Sequence, residues 1–122
     1  MRAALSRTLL SDRGRQVQPR GLPQLIRPGE LVFVPGSSGA PMVFMEQLLR
    51  ERDFTREARM LTTYVPGINT LDMSGMHASS CVTGLFMQPS LTEAQRQGRF
   101  RALPMSYSGF VRHLRDHVAI DL

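Results

Sequence analysis

Short apolar runs separated by glycine- and proline-bearing turns set the pattern of this chain. Leu31–Pro35 (LVFVP) is continuously apolar, as in a strand covered on both faces. Pro41 can open a helix, and Val43, Phe44, Gln47 and Leu48 follow at helical spacing, so a helix is predicted from Pro41 to near Asp53. Within it Glu46 stands four residues before Arg50, a favourable surface pair. Ala58–Val65 (ARMLTTYV) is rich in β-branched and aromatic residues and reads as a second strand, stopped by Pro66-Gly67. Residues 66–79 hold several turn formers and no period, which predicts a long loop. Cys81–Met87 (CVTGLFM) reads as a third strand, with Gly84 marking a bulge or a close approach.

The remaining pieces are shorter. Gly21–Ile26 can form one helical turn with Pro23 at its first position, and Arg27-Pro28-Gly29-Glu30 a tight turn. A helix over 92–97 is expected, with Ser90 capping it, Glu93 three residues on, and Gly98 closing it. Phe100–Leu103 is a brief strand, Ser106–Arg115 a helix, and Val118–Leu122 the entry to a further strand. Strands alternating with helices predict an α/β domain with a mostly parallel sheet and flanking helices. Residues 1–20 are polar and arginine-rich without period, and read as a flexible basic lead-in to a domain over 21–122.

Composition narrows the function classes. The chain has 122 residues, one small domain, and 42% apolar residues, enough for a core. Its net charge is +5, yet all 15 basic residues are arginines and they are scattered. That pattern suits a compositional bias better than a clustered nucleic-acid surface, so no nucleic acid is expected as partner. The opening MRAALSRTLLSDRGR has some features of an organellar transit peptide, but Asp12 and its short length favour a frayed basic terminus. A lone cysteine, Cys81, excludes an internal disulfide framework and suits a cytoplasmic setting. No apolar run reaches the length of a membrane span, so no membrane partner is expected.

Candidate chemistry concentrates after the first strand. The loop Gly36, Ser37, Ser38, Gly39, Ala40, Pro41 joins strand to helix. Such a junction can present bare backbone N–H groups and a helix N-terminus to an anionic or carbonyl-bearing ligand. The alternative is an ordinary strand-to-helix turn. The loop is not a phosphate loop of the Walker type, because it lacks the Gly-Lys-Ser/Thr ending. His77 and Cys81 are four apart with Asp72 nearby, but no second pair completes a metal site, and they read as structural filler. His113 and His117 read as surface residues near a helix end. Met42, Met45, Met60, Met73, Met76 and Met87 read as core or loop packing. Arg50, Arg52, Arg56 and Arg59 form a cluster that either meets ligand phosphates or is a solvated face.

The order of RPGELVFV, GSSGAP, a helix, a second strand, then FMQPSLTEAQRQGRFRALPMSYSGFVRHL and AIDL resembles the N-terminal part of the acetyl-CoA hydrolase/transferase family, which includes acetate and 4-hydroxybutyrate CoA-transferases. The resemblance covers residues 21–122 and rests on order and spacing, with no single specific motif. Glu30 stands where Asp is usual after Pro-Gly, Thr92-Glu93 replaces the usual Thr-Arg, and the acidic strand entry is present only as Ile120-Asp121-Leu122. The resemblance implies an incomplete CoA-transferase-like α/β domain. It implies coenzyme A as substrate and no tightly bound cofactor, with acyl-CoA and small carboxylates as partners. It further implies that Gly36–Pro41 lines the CoA or acyl slot. The glutamate that attacks the thioester in that family has no counterpart here, so the resemblance assigns no catalytic residue and predicts an inactive lone chain. Self-association or docking with a C-terminal catalytic half is then expected. Two further readings stay open: a non-catalytic CoA- or nucleotide-binding module, and a structural partner of a separately encoded catalytic half.

Overall fold

The computed structural model describes residues 16–122. The expected lead-in lies mostly outside the described residues, and Pro19–Leu25 within and beyond its end form a 3-10 helix. Pro19 opens that turn, and Pro23 lies inside it instead of starting it. The four predicted strands are present as β1 (Leu31–Val34), β2 (Arg59–Thr62), β3 (Cys81–Gly84) and β4 (Phe100–Ala102). They form one sheet, all parallel, in the order β1-β2-β3-β4. Three α-helices accompany them: α1 (Met42–Leu48), α2 (Thr92–Arg96) and α3 (Tyr107–His117).

Alternation along the strands splits the side chains between two faces. Val32, Val34, Met60, Val82 and Phe100 point to the first face and pack with Met45 and Leu48 of α1, Ala94 of α2, and Leu71, Met73 and Met76. The β2–β3 connection therefore covers the sheet without an α-helix. Residues 63–80 do so as a packed loop whose one 3-10 turn, Met73–Gly75, is capped by the Asp72 side chain accepting from Ser74 N–H at 2.9 Å. Met73 and Met76 are each 1% exposed, so this loop has a core of its own. Buried Thr55 pins the loop's far end, accepting from His77 N–H at 2.7 Å and donating to Arg52 C=O at 2.7 Å.

The second face carries Leu31, Phe33, Leu61 and Leu103, on which Phe110 and Leu114 of α3 pack. Ser106 caps α3, its hydroxyl accepting from Gly109 N–H at 3.2 Å. After α3 the chain returns to the free edge of β1. Phe33 N–H donates to Leu122 C=O at 2.8 Å, Leu122 N–H to Leu31 C=O at 3.4 Å, and the Asp121 carboxylate accepts from Leu31 N–H at 2.8 Å. This is the hydrogen-bond pattern of a parallel pair, so the strand entry expected at Val118–Leu122 runs beside β1 over its last residues.

Several boundaries differ from expectation. The first helix ends at Leu48, well short of Asp53, because Glu51-Arg52-Asp53 present no apolar face, and Arg52–Thr55 form a separate 3-10 turn. Arg50 consequently bonds Gln47 at 3.3 Å and not Glu46. Ser90 does not cap α2; its hydroxyl donates to Leu71 C=O at 2.7 Å, and Glu93 pairs with Arg96. Gly98, with φ of 73°, closes α2 as expected. Gly84 marks a close approach: a Cβ there would lie 3.2 Å from the Phe100 ring.

Phe110 is 2% exposed and joins α3 to the sheet, whereas its neighbour Val111 is 62% exposed. Phe110→Ala is expected to cost about 3–5 kcal/mol, and Val111→Ala less than about 0.5 kcal/mol. Urea unfolding of the two variants checks both, and comparable losses would contradict this packing of the second layer.

Candidate functional site

The loop after β1 leaves the carboxyl end of that strand toward the first face. The connections that follow β1, β2 and β3 lie on the first face, while α3 reaches the other edge of β1 across the second face. In open α/β sheets ligands bind outside the carboxyl ends of the strands. The loop Gly36–Pro41 begins at one such end, that of β1.

Three contacts shape the loop. Gly36 N–H donates to the Thr63 hydroxyl at 2.9 Å. A Cβ on Gly36 would stand 2.1 Å from Thr63 C=O, so only glycine permits this approach. Ser37 then adopts φ of 56°, a left-handed conformation unusual for serine. Asn69 holds it there from both sides: its Oδ1 accepts from Ser37 N–H at 2.6 Å, and its Nδ2 donates to Ser37 C=O at 3.1 Å. The same Oδ1 accepts from Val65 N–H at 3.1 Å, so one side chain, 8% exposed, joins the loop after β1 to the loop after β2.

The expectation of bare backbone donors needs correction. Gly39 N–H donates to Gly36 C=O, Ala40 N–H to Ser37 C=O and Met42 N–H to Ala40 C=O. The backbone of the loop is therefore largely engaged in its own 3-10 turn, Ser37–Gly39. α1 has seven residues and no side-chain cap at Pro41, too short to act as an anion-binding helix terminus. What the loop offers outward is two exposed serines; among the described residues the hydroxyls of Ser37 and Ser38 make no hydrogen bond. Gly39 is exposed and open, with its nearest neighbour to an added Cβ, Pro35 Cβ, 4.0 Å away.

Behind the loop lies a cavity of about 500 Å³ between α1 and residues 64–71. Met42, Met45, Leu49, Ile68 and Leu71 supply its apolar wall, and Glu46, Tyr64 and Asn69 its polar groups. Asn69 thus serves both the loop and the cavity. Burial pushes the Tyr64 phenol above its ordinary pKa, because the phenolate would lose hydration there. The volume lies within the range of small-molecule sites, about 300–1,000 Å³.

Other candidates are dispersed. His77 and Cys81 lie on a turn and at the start of β3, and Cys81 is an exposed free thiol. His77 Nδ1 lies 3.1 Å from Ser79 N and 2.7 Å from the Ser79 hydroxyl. Among the described residues no three His, Cys, Asp or Glu side chains gather as a metal site, and no helix is long and apolar enough to cross a membrane. Arg50, Arg52, Arg56 and Arg59 do not converge: they bond Gln47, Ser74 C=O, Asp53 and Gly29 C=O respectively. Met45, Met60, Met73 and Met76 are buried as expected, but Met42 is 68% exposed at the cavity rim. His117 is exposed as expected, whereas His113 is half-buried and lines a groove on the second face. No protein-family model, curated protein or solved structure matches the chain.

Two outcomes follow for the site. Asn69→Ala removes three part-buried hydrogen bonds to the Ser37 and Val65 backbone and is expected to cost about 2–4 kcal/mol, with faster hydrogen exchange at Ser37 and Val65. Protection unchanged at Ser37 would disprove the clamp. Because the Tyr64 pKa is raised on folding, the stability it contributes is complete below pH 10 and is lost as pH climbs through the folded value. Tyr64→Phe should flatten that alkaline decline in urea unfolding compared at pH 8 and about pH 11.

Proposed function

We propose that this chain carries the acyl-CoA-binding mouth of a CoA-transferase or acyl-CoA hydrolase acting on short acyl-CoA thioesters and carboxylates. The reading is supported by one arrangement above all: the Gly36–Pro41 loop leaves the carboxyl end of β1 and leads into α1, whose Met42, Met45 and Leu49 line a cavity with a mostly apolar wall. A thioester substrate presents an uncharged acyl and pantetheine arm that suits such a wall, with amide and carbonyl groups for the Ser37 and Ser38 hydroxyls to bond. The order of sequence features described above supplies the family.

The proposed division of labour follows from chemistry. Acyl transfer through an enzyme carboxylate needs an activated nucleophile and donors at the developing oxyanion. The serine hydroxyls, the Ser38 N–H and the Tyr64 phenol are donors; the nucleophile has no matching residue in this chain. In this reading the loop binds and orients the thioester, and the reacting carboxylate comes from a part of the enzyme outside these residues.

Calorimetric titration of the purified chain with acetyl-CoA tests the reading. Saturable binding is expected, weakened at least about tenfold, or 1.4 kcal/mol, in Gly39→Val. That variant should keep its fold, because the position is open and its φ is not positive. Acetyl-CoA hydrolysis by the chain alone should stay at the uncatalysed rate. Absence of binding, or equal binding by the variant, would overturn the proposal.

A further inference from the structure

The second face of the sheet holds a feature that packing does not explain. Strands of a parallel sheet covered on both faces are ordinarily apolar, yet β2 and β4 each raise an arginine on the side where α3 packs. Leu61, Thr83 and Arg101 are consecutive partners across β2, β3 and β4, and Arg59 lies two residues before Leu61 on the same face. Adjacent strands stand about 4.8 Å apart, so Arg101 rises directly beside Thr83, while Arg59, whose partner on β3 is Cys81, rises on the other side of β3 and two residues nearer the strand's start. All three line one groove of about 230 Å³, with His113 of α3 on its opposite wall.

Among the described residues neither guanidinium of the groove is paired with a carboxylate. Arg56, Arg96 and Arg115 each hold a carboxylate. Arg59 instead makes one long bond, 3.3 Å, to Gly29 C=O, and among the described residues Arg101 makes none. Asp121, the acid near the groove's Leu31 end, has its carboxylate engaged by Leu31 N–H. Beside the cationic groups runs an apolar strip of Leu61, Leu103 and Val118. The volume falls below that of drug-sized pockets, which limits the occupant to a small molecule.

We propose that this groove binds a small amphipathic oxyanion. Its carboxylate or phosphate head is held by Arg59 and Arg101 with the Thr83 hydroxyl beneath it, and its short apolar chain lies on Leu61, Leu103 and Val118. Guanidinium forks match the planar oxygens of either head group, and His113 adds a further donor. The site is distinct from the mouth at Gly36–Pro41, which belongs to the carboxyl ends of the strands and the first face, and it does not rest on the acyl-CoA reading.

NMR titration of the full chain with inorganic phosphate, butyl phosphate, formate and butyrate tests the proposal. Saturable shifts are expected at Thr83, at the Arg59 and Arg101 Nε–H groups and on the His113 ring, with the Gly36 and Ser37 amides unmoved. Each butyl probe should bind at least about tenfold more tightly than its chainless counterpart. Tighter binding of butyl phosphate identifies a phosphate head, and of butyrate a carboxylate head; either supports the site. The double variant Arg59→Gln/Arg101→Gln should lose binding at least tenfold, and Thr83→Val, which keeps the volume of the strand residue, should weaken it with native amide dispersion intact. Equal titration of wild type and double variant, equal affinity for chained and chainless probes, or shifts confined to the Gly36–Pro41 loop would each overturn it.

Discussion

Everything at the mouth of the sheet depends on how closely the backbone leaving β1 approaches the backbone leaving β2. At Gly36 the two chains are so near that a methyl group would penetrate the Thr63 carbonyl, its Cβ only 2.1 Å from the oxygen. The missing side chain lets the Thr63 hydroxyl take Gly36 N–H and brings Ser37 within reach of Asn69. Asn69 then offsets the left-handed strain at Ser37 by bonding both its N–H and its C=O. The open cavity, the outward serines and the turn into α1 all inherit their positions from that contact.

The two faces of the sheet are finished differently. The first is sealed by α1, α2 and the methionine-bearing loop, and its core residues form one continuous cluster. The second has a single covering helix and a much smaller buried set, Leu61, Leu85 and Phe110. A thin cover leaves room along one side of α3, and charged side chains with long aliphatic stems can occupy such a margin while keeping their heads in water. Arg59 and Arg101 therefore belong to a partly open layer, while their neighbours Met60 and Phe100 on the same strands are 2% and 3% exposed.

Strand identity was legible because each strand is an apolar or β-branched run that few other structures would accommodate. Strand ends were not, since Val65, Phe86 and Met87 continue the run after pairing has stopped and serve the loops instead. The turn at Arg27–Glu30 and the glycine that closes α2 were legible because each is a local property of one residue and its neighbours, whereas at Gly84 the sequence left a bulge and a close approach open, since the ring it meets belongs to Phe100 of the next strand. Asn69 gave no such signal. Its partner Ser37 is 32 residues away, and nothing in PGINT distinguishes a clamp from a solvated loop amide. Ser90 misled in the same way, its hydroxyl taken by Leu71, 19 residues earlier, over the local cap. The candidate loop was visible as small residues between strand and helix, but the closure of its own amides upon themselves was not. The arginine pair was invisible for a different reason: that Arg59 and Arg101 stand on one face at either side of β3 is a fact of register, which single-chain spacing does not contain.

The strand order also sets a timetable. β1 to β4 lie side by side in the order in which a ribosome makes them, so each new strand finds its partner already synthesised. The outer edge of β1 is the exception, since its partners Asp121 and Leu122 stand 90 residues from Leu31. Throughout synthesis of the intervening chain that edge shows unpaired backbone groups beside an apolar strand, an invitation to another chain. β1 is made first of the four strands, and its outer edge is covered only once Asp121 and Leu122 have followed. A nascent chain stalled anywhere before Asp121 would still show that edge to its neighbours.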